Sequence, residues 1–170
     1  MGAAICTGDR WVAVPSEGGH ALVAPRTLRE VELLKAAMGI TLQPVCWEDL
    51  LSGKGLPLLH QAVCAVDGVA YEPKTAAQIT ASQMPDCIAT LHSFCELLGR
   101  AAGDLALMFA ARGGVYLKGG VLDYLKDFLP TSNFRAAFED KGDYSNYMKT
   151  IPTYNVLLHQ MALLGCAAAR

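Results

Sequence analysis

Glu17-Gly18-Gly19-His20 sets a carboxylate and an imidazole on either side of two glycines. A glycine pair lets the backbone turn tightly and come close to a ligand. A carboxylate can accept from two neighbouring hydroxyls at once, so the pattern suits a polyol. The same four residues also fit a plain turn with a solvated acid and a satisfied imidazole. Glu48 follows Trp47 and precedes Leu50-Leu51-Ser52-Gly53, and it offers a second carboxylate for the same ligand. It equally suits the first turn of a short helix, where the helix dipole favours an acid.

Gly113-Gly114-Val115-Tyr116-Leu117-Lys118-Gly119-Gly120 is more specific, with two glycine pairs bracketing a short apolar run. A strand that ends in Gly-Gly ahead of a helix lets a nucleotide approach the backbone, or lets helix and strand pack closely. It matches neither the dinucleotide-binding nor the Walker pattern. His92 and Cys95 share a helix face, and Cys87 lies five residues before His92. Zinc wants about four ligands and no second cluster supplies them, so these residues read as core packing. His60 and His159 have no partner in sequence and read as ordinary helix or strand positions. No cysteine carries a local hydrolase signature.

The elements that must position these groups are short and mixed. Ala3–Cys6 and Trp11–Val14 flank Thr7-Gly8-Asp9 and predict a β-hairpin. A loop over Glu17–His20 follows, then an extended piece from Ala21 to Ala24. Thr27 with Glu30 forms a capping box, and the helix it opens is expected to stop at Gly39. Two short helices between Gln43 and Asp67 should break at Ser52-Gly53-Lys54-Gly55. The longest helix runs from Pro85-Asp86 to about Ala111, with Ile88, Leu91, Cys95, Leu98, Ala102, Leu105 and Phe109 at helical spacing. Gly99 and Gly103 inside it cost about 1 kcal/mol each, which a close-packed neighbour would explain. Val115–Leu117 reads as a buried strand, Val121–Phe128 and Phe134–Glu139 as helices, Tyr154–Leu158 as a last strand, and Met161–Arg170 as a helix.

Composition bounds the class. The 170 residues are 52% hydrophobic and 18% charged, with a mean hydropathy of +0.27, which excludes disorder. No 18-residue uncharged apolar run exists, so no membrane span is expected, and the N-terminus lacks the pattern of a secretory signal. Lys and Arg number 14 against 16 acids, scattered along the chain, so nucleic acid is not an expected partner. Six cysteines without a C-x-x-C pair read as reduced thiols of a cytoplasmic protein. The chain is expected to be one compact α/β unit without repeats or linker.

Taken in order, several segments carry a resemblance. They are Pro15-Ser16-Glu17-Gly18-Gly19-His20, Glu48-Asp49-Leu50-Leu51-Ser52-Gly53, Gly113–Gly120, Ser132-Asn133-Phe134-Arg135-Ala136-Ala137-Phe138-Glu139-Asp140-Lys141-Gly142, Ile151-Pro152-Thr153-Tyr154 and Leu163-Leu164-Gly165-Cys166. Together they resemble the C-terminal half of bacterial-type glucokinases, ATP-dependent hexose kinases of the actin-like ATPase superfamily. The resemblance implies an α/β lobe with a mixed sheet flanked by helices, of ribonuclease-H-like type. It implies that Glu17, His20 and Glu48 hold sugar hydroxyls and that Gly113, Gly114, Gly119 and Gly120 border the adenosine side of an ATP site. The implied reaction moves the γ-phosphoryl of ATP, with Mg2+, to the 6-hydroxyl of glucose, in a cytoplasmic homodimer.

The departures from that family bear on activity. Its Asp-Gly-Gly-Thr phosphate loop, the Asn-Asp pair that holds the catalytic base, and its Gly-Thr-Gly loop do not occur in these 170 residues. Lys118 stands where a small residue is usual. Ala21-Leu22-Val23-Ala24-Pro25 replaces the zinc-binding cysteines of the related repressor group. Residues 1–160 are therefore expected to form the large lobe. Residues 161–170, with Met161, Leu163 and Leu164, are expected to form a helix that packs on an N-terminal lobe. No catalytic residue is assigned, and negligible kinase activity is expected of the chain alone. The rival expectation is a non-catalytic sugar-binding or interaction module.

Overall fold

The structure, a computed structural model, describes residues 1–158 and 160. The chain opens with an antiparallel hairpin, β1 (Gly2–Cys6) and β2 (Trp11–Pro15), in the register Gly2↔Pro15 to Cys6↔Trp11. Its turn takes in Arg10 as well as Thr7-Gly8-Asp9, closed by Thr7 N–H on the Arg10 carbonyl, and Gly8 takes a φ of 80°. The Glu17–His20 loop contains a 3-10 turn over Gly18–His20. Leu22 then bridges Cys46 in antiparallel fashion, so the expected extended piece pairs with the approach to the next acid.

Helix α1 (Leu28–Thr41) starts on the Thr27–Glu30 capping box. It does not stop at Gly39. Gly39 lies in open space with no contact that needs it, and the helix ends two residues later at Thr41, capped by Leu42 in the left-handed conformation. α2 (Trp47–Leu50) and α3 (Leu56–Asp67) break where expected, and Gly55 permits close approach to the Asp49 carbonyl. α4 (Ala76–Ala81), opened by a Thr75–Gln78 capping box, is too short for its periodicity to stand out. α5 (Pro85–Met108) crosses the molecule and packs on α3 and on α7 (Phe134–Glu139). Gly99 lies against the Phe134 carbonyl and the Ala137 side chain, and Gly103 against the Phe138 carbonyl. α7 is the close-packed neighbour that those glycines required.

β3 (Val115–Leu117) pairs in parallel with β4 (Thr153–Asn155). β3 is less buried than its apolar run suggested, since Tyr116 is exposed and stacks on Tyr154 at 4.9 Å. α6 (Gly120–Tyr124) is shorter than expected, because the chain turns at Leu125 and re-coils as 3-10 over Leu129–Thr131. α8 (Ser145–Lys149) precedes β4. The α/β class holds, with antiparallel and parallel pairings both present but in separate two-stranded sheets. The core lies on the helical side: Leu59, Val63, Leu97, Phe138, Met148 and Ile151 are almost fully buried. Among the described residues no helix is long and apolar enough to cross a membrane. The helix expected over 161–170 and His159 lie outside the described residues.

Candidate functional site

The 3-10 turn and α2 are tied by backbone pairing. Val23 N–H donates to the Val45 carbonyl at 3.1 Å and Trp47 N–H to the Ala21 carbonyl at 3.1 Å. Trp47 and Leu50 are buried beneath α2, so Glu48 between them faces outward. Asp49 caps its own helix by accepting from Cys46 N–H at 2.8 Å, and the Cys46 thiol and then that N–H hold its carboxyl below the ordinary range. That leaves Glu48 free of structural duty.

Glu48 Oε2 reaches His20 Nε2 at 3.7 Å. The approach crosses Gly19: a Cβ there would stand 3.2 Å from that carboxylate oxygen, tighter than side chains ordinarily pack. The glycine therefore has a spatial reason beyond the turn. Both side chains are more than half exposed, at 66% and 61%, and so are available to a ligand. Glu17 stands exposed at the start of the same turn, its carbonyl accepting from His20 N–H at 2.9 Å. Among the described residues its carboxylate makes no ion pair with the other two groups. Two of the three sequence-predicted residues, His20 and Glu48, are thus brought into contact, and the third, Glu17, shares the turn of His20.

One of the four glycines behaves differently from the other three. Gly114, with φ of 112°, packs against Pro152 and the Tyr154 ring, so its role is close strand packing. Gly113, Gly119 and Gly120 face open space. All four line a cleft of about 1130 Å3 that runs between β1, the C-terminal half of α5 and the β3–α6 segment. Leu51, Ser52 and Gly53 line it too, so the cleft begins where α2 ends, just past Glu48. Among the described residues its lining carries two cationic side chains, Arg112 and Lys118, and no carboxylate. Lys118 is held by Asp123 at 2.7 Å.

The glucokinase family profile matches residues 1–170. The chain belongs to the glucokinase family. It is 43% identical to a glucokinase of Sinorhizobium fredii over 168 residues, covering 94% of this chain and 48% of that one. A glucokinase of Nitrobacter hamburgensis is 39% identical over 171 residues, covering 98% and 53%. The crystal structure of a glucokinase from an Antarctic psychrotroph superposes with a TM-score of 0.89 at 35% identity, covering 97% of this chain and 52% of that one. The glucose complex of Balamuthia mandrillaris glucokinase gives 0.72 at 23% identity, covering 85% and 44%, a likeness of fold. The chain thus spans about half the length of the curated glucokinases it matches, and its fold is that of an actin-like ATPase lobe.

Two clusters in this glucokinase-family chain escaped sequence reasoning. Arg100, buried on α5, donates to Glu30 Oε1 at 3.0 Å and to Asp140 Oδ2 at 2.6 Å, joining α1, α5 and the end of α7. The partners lie 70 and 40 residues away, beyond any local spacing. His60, read as an ordinary helix position, is fully buried between α3 and α5 against Thr90, Cys64 and Asp86. Burial, reinforced by the Lys74 ammonium, holds His60 below the usual imidazole value. The i, i+4 spacing of His60 and Cys64 was the available signal. His92 is no core residue: it is exposed and lies against Phe128 at 4.9 Å. Cys95 is buried as expected, its thiol pushed up to about 11 by burial.

Proposed function

We propose that residues 1–160 form the sugar- and adenosine-contacting lobe of an ATP-dependent glucokinase, orienting glucose for transfer of the γ-phosphoryl of ATP to its 6-hydroxyl. The observation that carries this reading is the meeting of Glu48 Oε2 and His20 Nε2 at 3.7 Å across Gly19. Two carboxylates and one imidazole, from one exposed turn and the adjoining α2, suit vicinal hydroxyls: the carboxylates accept, and the imidazole donates or accepts according to tautomer. Sugar hydroxyls replace the water these groups hold. A hexose lacking one hydroxyl would leave a polar partner unpaired, which is how such a site selects.

For ATP, the open faces of Gly113, Gly119 and Gly120 give the adenosine room against backbone, with Arg112 and Lys118 on the same cleft. ATP supplies the transferred phosphoryl group. Mg2+ does not fit this cleft, whose lining offers no carboxylate among the described residues, so the ion is not assigned to this chain. The catalytic base is not assigned to it either. An open, wet site without that base lacks the electrostatic preorganisation that phosphoryl transfer depends on. The cytoplasm, which keeps thiols reduced, suits the free thiols of Cys64, Cys87 and Cys95. The homodimer implied for the family belongs to the same proposal.

Equilibrium dialysis of labelled glucose, run beside a coupled assay for glucose 6-phosphate with Mg·ATP, tests the reading. Glucose should be retained, and no product should form above background. A folded chain that retains no glucose contradicts the sugar role. Product that disappears in Glu17→Gln contradicts placing the base outside this chain.

A further inference from the structure

α3 and the first turn of α5 bring His60, Cys64 and Asp86 together, and none of the three lines the cleft. Their ligating atoms all lie within 4.8 Å of one another. His60 and Cys64, four residues apart on α3, share one helix face. His60 Nδ1 lies 3.0 Å from Thr90 Oγ1, and that hydroxyl donates its own proton to the Asp86 carbonyl at 2.8 Å. The hydroxyl therefore accepts from Nδ1–H, which leaves a bare lone pair on Nε2. This is the outer-sphere arrangement that fixes a metal-binding imidazole. Nε2 in turn faces Asp86 Oδ2 at 3.5 Å and Cys64 Sγ at 3.9 Å. A carboxylate and an imidazole lone pair in such contact repel unless a cation serves both.

We propose that His60 Nε2, Cys64 Sγ and the Asp86 carboxylate form a binding site for a thiophilic divalent cation of the zinc class. The Cys87 thiol lies 3.9 Å from Asp86 Oδ2 but outside this three-atom cluster, so Cys64 is the one thiolate of the site. Zinc bonds of ordinary length place neighbouring tetrahedral ligands roughly 3.3–3.6 Å apart. The His60–Asp86 pair already has that separation. The Cys64 thiol is nearly equidistant from both ring nitrogens, at 3.9 and 4.0 Å, so it must swing toward Nε2 to close the site. It gives up its proton to solvent as the metal–sulfur bond forms. Cys64 is 1% exposed, which leaves a substrate no route to it and removes a nucleophilic role.

Lys74 marks the entry. Its ammonium lies 3.2 Å from Asp86 Oδ2 at a partly exposed position and neutralises the carboxylate that the metal would use. Cation and lysine therefore compete for one oxygen. This site is independent of the sugar turn and stands or falls without it.

The test titrates the full chain, reduced and stripped with chelator, with Co(II) and then Zn(II). One equivalent of cobalt should bind with a thiolate-to-metal charge-transfer band that zinc bleaches. Cys64→Ser should lose the band. Lys74→Gln, which alters a partly exposed side chain and keeps the core intact, should bind the metal at least about tenfold more tightly. No band in the wild-type chain, a band that survives Cys64→Ser, or unchanged affinity in Lys74→Gln overturns the proposal.

Discussion

The two sides of this molecule solve opposite problems. On the helical side, α3, α5 and α7 bury their large side chains almost completely, and even the charges there are buried in pairs. On the cleft side, the β1–β2 hairpin leaves Trp11 69% exposed, and the candidate sugar ligands stand in water. Stability is concentrated away from the candidate sugar ligands, and those ligands are placed where little stability depends on them. Substitutions on the first side should therefore move the fold, and those on the second should move affinity alone.

The largest expected effect is at Arg100. Arg100→Ala leaves Glu30 as a buried carboxylate without its cation and should destabilise the chain by about 3–5 kcal/mol in urea titration. A loss no larger than that of a surface substitution would break the contrast. Next comes Gly99→Ala. The new methyl would press on the Phe134 carbonyl and Ala137, and overpacking should cost about 1–3 kcal/mol despite the gain in helix propensity. On the cleft side, Glu48→Gln should stay within about 0.5 kcal/mol of wild type in the same titration. Its affinity for glucose should fall about 10- to 100-fold, the worth of a hydrogen bond to a charged group.

The smallest effect expected is one of pH. Arg26 and then Arg100 hold the Asp140 carboxyl below its ordinary value. A carboxylate depressed in the fold contributes stability above its unfolded pKa, about 3.9, and loses it as pH falls toward the folded value. Asp140→Asn should therefore shallow the acid limb of the stability profile below about pH 4. The change should be slight, because the group is about half exposed. An unchanged limb would show that the pairing carries no linkage.

Local signals made part of this legible. The Thr27–Glu30 capping box, the break at Ser52–Gly55 and the spacing along α5 each act within one or two turns, and each element formed. Gly39 misled because a glycine with no steric task does not end a helix; Leu42 did, held in the left-handed region. The contact between Glu48 and His20 was foreseeable from the family resemblance, while the reason for Gly19 needed coordinates. Arg100 was invisible because its partners come from distant segments, and of the groups around His60 only Cys64 is local. Gly114 shows that a glycine pair can hold two different tasks, since it packs on Tyr154 while Gly113 faces the cleft.

The most direct measurement is a glucose titration followed by Trp47 fluorescence, in a Trp11→Phe background so that the buried indole beside Glu48 reports alone. A saturable change that is strongly weakened in Glu48→Gln, with both chains equally stable, is the expected result. No saturable response from the folded chain, or an identical curve in Glu48→Gln, would contradict the assignment of this turn as the sugar site.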